Sequence, residues 1–355
     1  MKWTNFNIQT FKSLTQFLLI PLSFIYGSIT SIRNLLFDYG IFKAISHPIP
    51  IICIGNLSLG GTGKTPHTQY LLDLLKNNYK VAVLSRGYGR KTSSLQLVEI
   101  NSNAFEIGDE PLQLKQNNSE CVVVVEKNRN KGVQHILKHF PKTDVILLDD
   151  GYQHRWIKAG LNILITPFSS PYYKDSLMPF GKLRESKKGV TRANAVIFSK
   201  TPENTNPTLK KGMLERLHLF SHQKAYFSII EYHKFKCITN NTELEDNPYS
   251  ITLVSGIGNA NPLIKYLKEK GHSINHLKYS DHHNYTSDDI DNILAKYNAE
   301  KSTKKLILTT EKDATKLKQF LPHLKDVNFY YIPIEIQIEQ SEKFKKQILD
   351  YVEKN

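Results

Sequence analysis

The sequence predicts an α/β protein of the P-loop NTPase type, with a mostly parallel sheet and a second, smaller α/β domain. Three observations lead to this fold class. Short apolar runs rich in β-branched residues alternate along the chain with segments of helical period. One of these runs enters a glycine-rich turn that ends in Gly-Lys-Thr at residues 63–65. A later run ends in two aspartates, Asp149 and Asp150.

Length and composition fit about two globular domains. The chain has 355 residues, of which 40% are hydrophobic and 23% charged, and this excludes a wholly disordered, collagen-like or polytopic membrane protein. Its cysteines, Cys53, Cys121 and Cys237, lack CxxC or Cys/His ligand spacing, which argues against a disulfide scaffold or a structural zinc site. The net charge of +14 indicates anionic partners, which are nucleic acid, phosphorylated substrates or an anionic membrane surface.

The N-terminal segment predicts a helix with an apolar face. No charged residue occurs from Ser13 to Ile32, and aliphatic residues recur at spacings of three and four. These aliphatic residues are Leu14, Leu18, Leu22, Ile25, Ile29, Ile32 and Leu36. Such a helix either lies in the membrane interface or packs, buried, on the following domain. A helix that spans the bilayer is a third interpretation.

A phosphate-binding loop opens the first domain. The buried strand predicted over residues 50–54 leads into Gly-Asn-Leu-Ser-Leu-Gly-Gly-Thr-Gly-Lys-Thr at 55–65, and an apolar-periodic helix follows. Glycines let backbone N–H groups approach phosphate oxygens, while Lys64 reaches the β- and γ-phosphates and the Thr65 hydroxyl binds Mg²⁺. Ser58 stands where the general P-loop pattern has its first glycine.

Two further loops follow predicted strands and carry charged residues. The strand at 81–84 leads into Ser-Arg-Gly-Tyr-Gly-Arg at 85–90, on the ligand-binding edge of an open α/β sheet. Gly-Asp-Glu-Pro at 108–111 leads from a loop into a helix predicted over 111–116, and carboxylates in the first turn of a helix are often only partners of the helix dipole.

The strand predicted over residues 145–150 has the Walker-B pattern, whose terminal carboxylates hold Mg²⁺ directly or through water. The chain continues as Gly-Tyr-Gln-His-Arg at 151–155, and we expect His154 to touch phosphate or metal there. The basic loop at 177–192 is interpreted either as a solvated surface or as a site that contacts the substrate phosphate or the membrane.

The C-terminal part repeats the alternation of strand and helix. Asp-His-His at 281–283 lies on a loop ahead of a helix whose Thr286 and Asp289 form a capping-box pattern. We expect Thr-Glu-Lys-Asp at 310–313 to be structural or to contact the adenine side of a nucleotide. The remaining predicted strands lie at 195–199, 225–232, 235–238, 251–254, 305–309 and 329–337, and helices at 314–320 and 342–354.

Together these segments resemble the tetraacyldisaccharide 4'-kinase family of lipid A biosynthesis. The motifs that carry the resemblance occur in the family's order, at residues 55–65, 85–90, 108–111, 149–154, 183–185, 281–283 and 310–314. Ser58 is similar to this family's own form of the loop. The domains expected on this basis are a membrane-associating helix region (1–44), a P-loop kinase domain (45–220), a strand-rich connector (221–247) and a smaller α/β domain (248–355).

The resemblance implies transfer of the ATP γ-phosphoryl group to the 4'-hydroxyl of a tetraacyldisaccharide 1-phosphate, giving lipid IVA, with ATP and Mg²⁺ as cofactors. It implies nucleotide contacts from Asn56, Ser58, Gly60, Gly61, Thr62, Gly63, Lys64 and Thr65. It implies metal contacts from Thr65, Glu110, Asp149 and Asp150, and substrate or phosphate contacts from Arg86, Tyr88, Arg129, His154, Arg184 and Glu185.

The same resemblance implies that Asp109 lies at the acceptor hydroxyl, paired with His282, and that Lys64 takes part in the chemistry. The residues leave open whether Asp109 or His282 accepts the proton, because environment sets both pKa values. We expect a monomer at the cytoplasmic face of the bacterial inner membrane, held peripherally or by one helix, that binds a lipid disaccharide phosphate and no nucleic acid.

Two other classes of protein fit part of the pattern. A switch-like P-loop ATPase would hydrolyse ATP without a lipid acceptor and would not need His282. A nucleic-acid-binding ATPase would use the basic charge, with affinity that falls steeply with salt. Neither explains the uncharged N-terminal segment as well as a lipid substrate does.

Overall fold

The structure, a computed structural model, describes residues 3–245, 247–324 and 327–355, with side chains described from residue 19 onward. Within these residues the α-helices are α1 (Trp3–Asp38), α2 (Lys64–Leu75), α3 (Ala104–Ile107), α4 (Asp109–Asn117), α5 (Arg129–His139), α6 (Pro207–Glu215), α7 (Asn261–Glu269), α8 (Ser287–Ala299), α9 (Glu311–Leu317) and α10 (Ser341–Glu353). Short 3-10 helices cover Tyr172–Lys174, Lys187–Arg192 and Lys318–His323.

The strands alternate with these helices, which confirms the α/β class. In chain order they are β1 (Ile51–Gly55), β2 (Val81–Ser85), β3 (Gln96–Leu97), β4 (Val122–Val125), β5 (Val145–Asp149), β6 (Leu161–Pro167), β7 (Ala195–Ser199), β8 (Lys224–Tyr232), β9 (Lys236–Cys237), β10 (Ser250–Ser255), β11 (Ser273–Lys278), β12 (Lys305–Thr310), β13 (Phe329–Ile332) and β14 (Ile334–Ile338).

Two predicted elements in the C-terminal part need correction. The single strand predicted over 329–337 is divided at Pro333, because proline has no backbone N–H to give to a strand ladder. The helix predicted over 314–320 begins earlier, at Glu311, since Thr310 caps it by accepting the N–H of Asp313. That helix ends at Leu317 and a 3-10 helix follows.

The chain divides into two compact units. The first unit comprises Met1–Thr68, Arg129–Ile229 and Gln337–Asn355. The second unit comprises Gln69–Asn128 and Ile230–Ile336. This division into units does not test the domain boundaries expected from the sequence, which stay a prediction.

The first unit contains five parallel strands in the order β8-β7-β6-β1-β5. All residues of β1, β5 and β7 are buried, as expected for strands of a parallel sheet that is covered on both faces. Ile54 of β1 is in register with Asp149 of β5. The loops that follow these two strands therefore leave the same edge of the sheet side by side.

In the second unit, β2 and β4 pair in parallel and β3 joins β4 antiparallel. A separate sheet has the order β11-β10-β12-β13-β9, and only β9 is antiparallel to its neighbour among its described strands. Its two faces carry separate cores, one with Val254 and Ile307 and the other with Leu253 and Leu308. Neighbouring residues of one strand belong to different cores because successive side chains of a strand point to opposite faces of the sheet.

Helix α1 packs on the first unit with its small and polar face. Ser23 and Thr30 are buried, and the Ser23 hydroxyl accepts a hydrogen bond from the Phe180 N–H at 2.8 Å. The aliphatic face predicted from the sequence is turned away, since Ile25 is 56% and Ile29 63% exposed. The interpretation in which this aliphatic face packs against the domain is therefore wrong for the described residues; Leu14 and Leu18 lie outside the described side chains.

Candidate active site

The phosphate-binding loop follows β1 and is held mainly by contacts to its backbone. The Thr62 N–H donates to the Gly60 carbonyl at 2.8 Å, and the Ser199 hydroxyl donates to the Thr62 carbonyl at 2.7 Å. The fully buried Asn56 donates from Nδ2 to the Thr62 hydroxyl at 2.8 Å. These bonds hold the turn before α2, whose first residue is Lys64.

Glycines of this loop leave room for a ligand at the backbone. A Cβ atom added at Gly60 or Gly61 would meet no heavy atom within 4 Å. Gly60 and Gly63 also have φ of +102° and +92°, which side chains rarely adopt. Thr65 is buried one residue after Lys64, and Ser58 is buried where its strand-like bridge meets Leu183.

The aspartates after β5 lie in the same unit as this loop. The Asp149 carboxylate is fully buried and accepts from the Thr68 hydroxyl of α2 at 3.0 Å. Lys64 Nζ is 3.6 Å from Asp150 Oδ1, and Arg184 Nη1 is 3.1 Å from the same oxygen. Burial opposes ionisation of Asp150, but Lys64 and Arg184 hold the pKa of this carboxyl below its ordinary value. Two cations, Lys64 and Arg184, therefore lie at the carboxylates that follow β5.

The Leu-Arg-Glu segment at 183–185 runs beside the phosphate-binding loop. The Leu59 N–H donates to the Lys182 carbonyl, and the Arg184 N–H donates to the Leu57 carbonyl. This pairing carries the Arg184 side chain to Asp150. Glu185, in contrast, is fully buried and accepts from Arg192 at 2.8 Å.

The expected phosphate contacts of several first-unit residues stay predictions. Arg129 is buried and donates from Nη2 to the Asp150 carbonyl at 3.4 Å. His154 lines a cavity of about 180 Å³ together with Cys53 and Arg192. Glu185 faces Asn34 and Arg192 in the interior.

The second unit contains the Asp109–His282 pair that the resemblance implied. His282 Nδ1 lies 3.0 Å from Asp109 Oδ2 and 3.2 Å from Oδ1, although the two residues are 173 positions apart. Asp109 begins α4 and is 3% exposed. The N–H of Glu110 donates to Asp109 Oδ1 at 2.9 Å.

Two lysines of α9 complete the surroundings of this pair. Lys316 Nζ lies 2.8 Å from Asp109 Oδ2, and Lys312 Nζ lies 3.1 Å from His282 Nε2. Burial alone would raise the pKa of Asp109, but the His282 hydrogen bond and the two lysine charges hold it well below its ordinary value. A carboxylate oxygen and an ammonium group lie on the two ring nitrogens, so Nδ1 is placed to donate to Asp109 and Nε2 to accept from Lys312.

A close approach of two glycines places the 85–90 loop beside Asp109. Gly108 has φ +96°, and a Cβ there would be 3.2 Å from the Gly87 Cα. Gly87 has φ +67°, and a Cβ there would be 2.6 Å from the Ile107 carbonyl oxygen. Tyr88 consequently lies with its ring 5.1 Å from the His282 ring, centroid to centroid, and Arg86 is exposed at the end of β2.

The lysines around Asp109 were not among the predicted site residues. Residues 310–313 were expected to be structural or to contact the adenine side of a nucleotide, and Lys316 had no expected role. The spacing of Lys312 and Lys316 was the available signal, because residues four apart lie on the same helix face.

The fold and this site define a P-loop phosphotransferase. A strand, a glycine loop and a helix starting with Lys64 lie beside a strand that ends in aspartates. The family model for the tetraacyldisaccharide-1-P 4'-kinase LpxK matches residues 15–353. The chain belongs to this family.

Individual relatives agree with the family match. The tetraacyldisaccharide 4'-kinase of Bacteroides thetaiotaomicron is 40% identical over 95% of this chain and 93% of its own length. The enzyme of the same name from Flavobacterium johnsoniae is also 40% identical, over 97% and 99% of the two chains. The crystal structure of LpxK from Aquifex aeolicus in complex with ATP is similar with a TM-score of 0.75 at 30% identity, covering 95% of this chain and 99% of that one.

Proposed function

We propose that this chain performs its family's reaction with Lys64, Asp109 and His282 as the central side chains. The chain transfers the γ-phosphoryl group of ATP to the 4'-hydroxyl of a tetraacyldisaccharide 1-phosphate, a lipid A precursor. The alternatives, a switch-like ATPase and a nucleic-acid-binding ATPase, do not account for membership of a lipid kinase family. Because the loop and the Asp109–His282 pair belong to one chain, the proposal needs no second copy.

The observation that carries the assignment of side chains is the hydrogen bond between His282 and Asp109. Both oxygens of the buried Asp109 carboxylate already have donors, Glu110 N–H on Oδ1 and Lys316 on Oδ2. The His282 side chain is 23% exposed, and its Nε2 has one donor, Lys312 Nζ at 3.1 Å, whose place the incoming hydroxyl would take. We therefore assign proton acceptance from the 4'-hydroxyl to His282 Nε2, with Asp109 fixing the ring orientation.

Residues of the first unit are proposed to bind the nucleotide and Mg²⁺. Backbone N–H groups around Gly60–Gly63 would contact the phosphates, and Lys64 would neutralise charge on the β- and γ-phosphates. The Thr65 hydroxyl and the carboxylates of Asp149 and Asp150 are hard oxygen donors of the type that Mg²⁺ prefers. When bound, Mg²⁺ supplies further neutralisation of the transferring phosphate charge.

Four further residues are proposed to contact metal, substrate or phosphate. Glu110 is a predicted metal ligand whose carboxylate lies 3.6 Å from Lys312 in the second unit. Arg86 and Tyr88 are proposed to contact the substrate, because both leave the β2 end near His282. Arg184 is proposed to contact phosphate, since its guanidinium already pairs with Asp150.

The direct test follows radiolabel from γ-labelled ATP into a tetraacylated glucosamine disaccharide 1-phosphate in detergent micelles with Mg²⁺. Asp109→Asn and His282→Gln should each lower kcat by about 10²- to 10⁴-fold, because general-base assistance is lost. The KM for ATP should change little in both variants. His283→Gln is a neighbouring control, since His283 contacts Asp289 rather than Asp109.

Two results would contradict the proposal in different ways. Near-normal turnover in Asp109→Asn and His282→Gln would remove these residues from the chemistry while leaving the kinase activity intact. ATP consumption by the wild-type protein without labelled lipid, over several acyl lengths, would instead favour the switch-like ATPase.

We also propose that the aliphatic face of α1 contacts the membrane interface. Leu22, Ile25, Ile29 and Ile32 are between 52% and 63% exposed, although burying such side chains stabilises by ~1.5–3 kcal/mol each. By length and composition Leu19–Asp38 could cross a membrane, and only a small part of this segment is buried. Since the opposite face contacts the first unit through Ser23 and Tyr26, we favour a helix that lies on the membrane.

Flotation with vesicles of zwitterionic and anionic phospholipids tests this membrane contact. The double variant Ile25→Gln/Ile29→Gln should reduce the bound fraction by about tenfold or more, because two aliphatic side chains leave the lipid phase. Leu209→Gln is the matched control, since Leu209 is 54% exposed on α6. Equal flotation of wild type and double variant would exclude this face as the membrane contact.

A further inference from the structure

Helix α9 carries a buried lysine, Lys316, and a half-buried one, Lys312, that no step of the proposed reaction has used. Lys312 and Lys316 are 18% and 6% exposed and lie four residues apart on one face of the helix. Lys316 Nζ lies 2.8 Å from Asp109 Oδ2 and donates to the His283 carbonyl at 3.0 Å. It therefore connects the Asp109 carboxylate to the backbone of the loop that holds His282.

Lys312 contacts the other ring nitrogen of His282. Its Nζ lies 3.1 Å from His282 Nε2, 3.5 Å from Asp281 Oδ1 and 3.6 Å from Glu110 Oε1. Each ring nitrogen of His282 thus has its own partner, Asp109 at Nδ1 and Lys312 at Nε2. Two partners on opposite sides fix the rotation of an imidazole ring and its tautomer.

Other contacts hold α9 independently of the two lysines. Asp313, which is fully buried, accepts from the Gly256 N–H at 3.0 Å and from the Thr310 hydroxyl at 2.7 Å. Glu311 accepts from Gln113 of α4 at 2.7 Å. The helix is therefore anchored at both the β10 loop and α4, and the lysines extend from a fixed support.

Stability alone does not require two lysines at these positions. Like charges four residues apart on a helix repel, and burial of each ammonium carries a desolvation cost. Apolar side chains of similar volume often stabilise an interior as well as a buried ion pair does. The lysines do, however, supply what an apolar pair lacks, a directed donor to Asp109 and another to His282.

We propose that Lys312 and Lys316 are positioning residues of the kinase reaction, resting on the proposed roles of Asp109 and His282. Lys316 fixes the Asp109 carboxylate that orients the His282 ring. Lys312 holds His282 Nε2 toward the place that the acceptor hydroxyl must enter and is replaced there by that hydroxyl. Neither lysine exchanges a proton with the substrate in this role.

The test measures steady-state label transfer to the lipid acceptor in Lys312→Met, Lys316→Met and the two corresponding arginine variants. Each methionine variant should lower kcat by about 10- to 100-fold with the KM for ATP nearly constant, since only the orientation of the base is lost. Arginine, which keeps a donor, should restore part of that loss. Lys318→Met, just beyond α9, is the matched control and should retain wild-type kcat.

Double-mutant cycles distinguish positioning from a general structural role. If Lys316 acts through Asp109, then adding Lys316→Met to Asp109→Asn should lower kcat by less than about threefold further. A spectroscopic readout is independent of activity. In ¹⁵N-histidine-labelled protein, the His282 signals, assigned with His282→Gln, should report an Nδ1–H tautomer that becomes mixed in Lys312→Met.

The outcomes separate this inference from the proposed function. Wild-type kcat in both methionine variants, or a full multiplicative loss of kcat in the Asp109→Asn background, would overturn the lysine roles even if Asp109→Asn and His282→Gln are inactive. Wild-type kcat in Asp109→Asn and His282→Gln would instead overturn the proposed roles of Asp109 and His282, and the lysine roles that rest on them. If Lys316→Met does not fold, Lys312→Met and the histidine spectrum decide.

Discussion

The phosphate-binding loop of the first unit and the Asp109–His282 pair of the second unit are built from different kinds of groups. In the first unit the phosphate-binding loop presents backbone, and its own turn is closed by contacts to the carbonyls of Gly60, Gly61 and Thr62. In the second unit the Asp109–His282 pair is made of side chains, joined across 173 positions of sequence. A backbone site depends on glycines and dihedral angles, whereas a side-chain site depends on which distant segments of the chain meet.

This difference predicts different responses to substitution. A backbone loop tolerates changes that keep its turn and leave its ligand space open. A buried pair of charged side chains loses its geometry when any partner is removed, because the remaining charge is then left without compensation. Predictions for the two regions can therefore be set against each other.

Among changes to the phosphate-binding loop, Lys64→Ala should have the largest effect, because Lys64 supplies the positive charge that the backbone of this loop lacks. Removal should lower label transfer by about 10²- to 10³-fold, the loss typical of one preorganised charge at a reacting group. Lys76→Ala is the control, since Lys76 makes an exposed ion pair with Asp73 just after α2. Near-normal turnover of Lys64→Ala in the lipid assay would contradict the assignment of the loop.

How much of the site could be predicted from sequence follows the same division. The strand, glycine turn and helix around Lys64 are contiguous, so the sequence predicted the turn and its chemistry, and the structure confirms the elements. The His282 partner of Asp109 was expected only from the resemblance, and the two lysine partners were not predicted. Lys316 meets Asp109 because α9 packs on α4, and Gln113 and Glu311 make that contact across 198 positions.

Local errors in the fold prediction also have physical causes. Pro333 divides a strand that apolar alternation extends across it, since the pattern records burial and not the missing N–H. The sequence predicted the aliphatic face of α1, but its periodicity does not show whether protein or membrane covers that face. The structure shows the Ser23 and Thr30 face buried instead.

Alanine at two glycines compares the regions directly. Gly61→Ala should leave the thermal unfolding midpoint nearly unchanged, because its Cβ meets no heavy atom within 4 Å, yet weaken ATP binding by about tenfold because the methyl enters the phosphate space. Gly87→Ala should destabilise by ~1–3 kcal/mol, since a left-handed residue would also press on the Ile107 carbonyl. Calorimetry of unfolding and of ATP binding measures both effects.

The reverse pattern would break the comparison. Strong destabilisation by Gly61→Ala with normal ATP affinity would mean that the loop is packed by protein and not shaped for a ligand. Unchanged stability in Gly87→Ala would mean that the 85–90 loop can relax away from Gly108. Gly212→Ala is a control for both, since its Cβ also meets nothing within 4 Å.

The smallest expected effect is a pH dependence that arises from His67, a side chain that supports the backbone-built loop. His67 donates from Nδ1 to the Gly63 carbonyl at 2.7 Å, and its Nε2 lies 2.9 Å from the Ser228 hydroxyl. Burial lowers its pKa from 6.5 to about 4. The unfolded chain therefore binds more protons than the folded chain between these values, and stability falls as the pH is lowered through 6.5. From pH 7.5 to 5.5 the loss of stability should be about 1.4 kcal/mol.

Thermal unfolding of nucleotide-free protein in EDTA measures this loss, and His67→Gln is expected to show a flatter pH dependence than wild type. His323→Gln removes an exposed imidazole instead, and equal flattening in both variants would show that the pH dependence does not come from the buried ring beneath the loop.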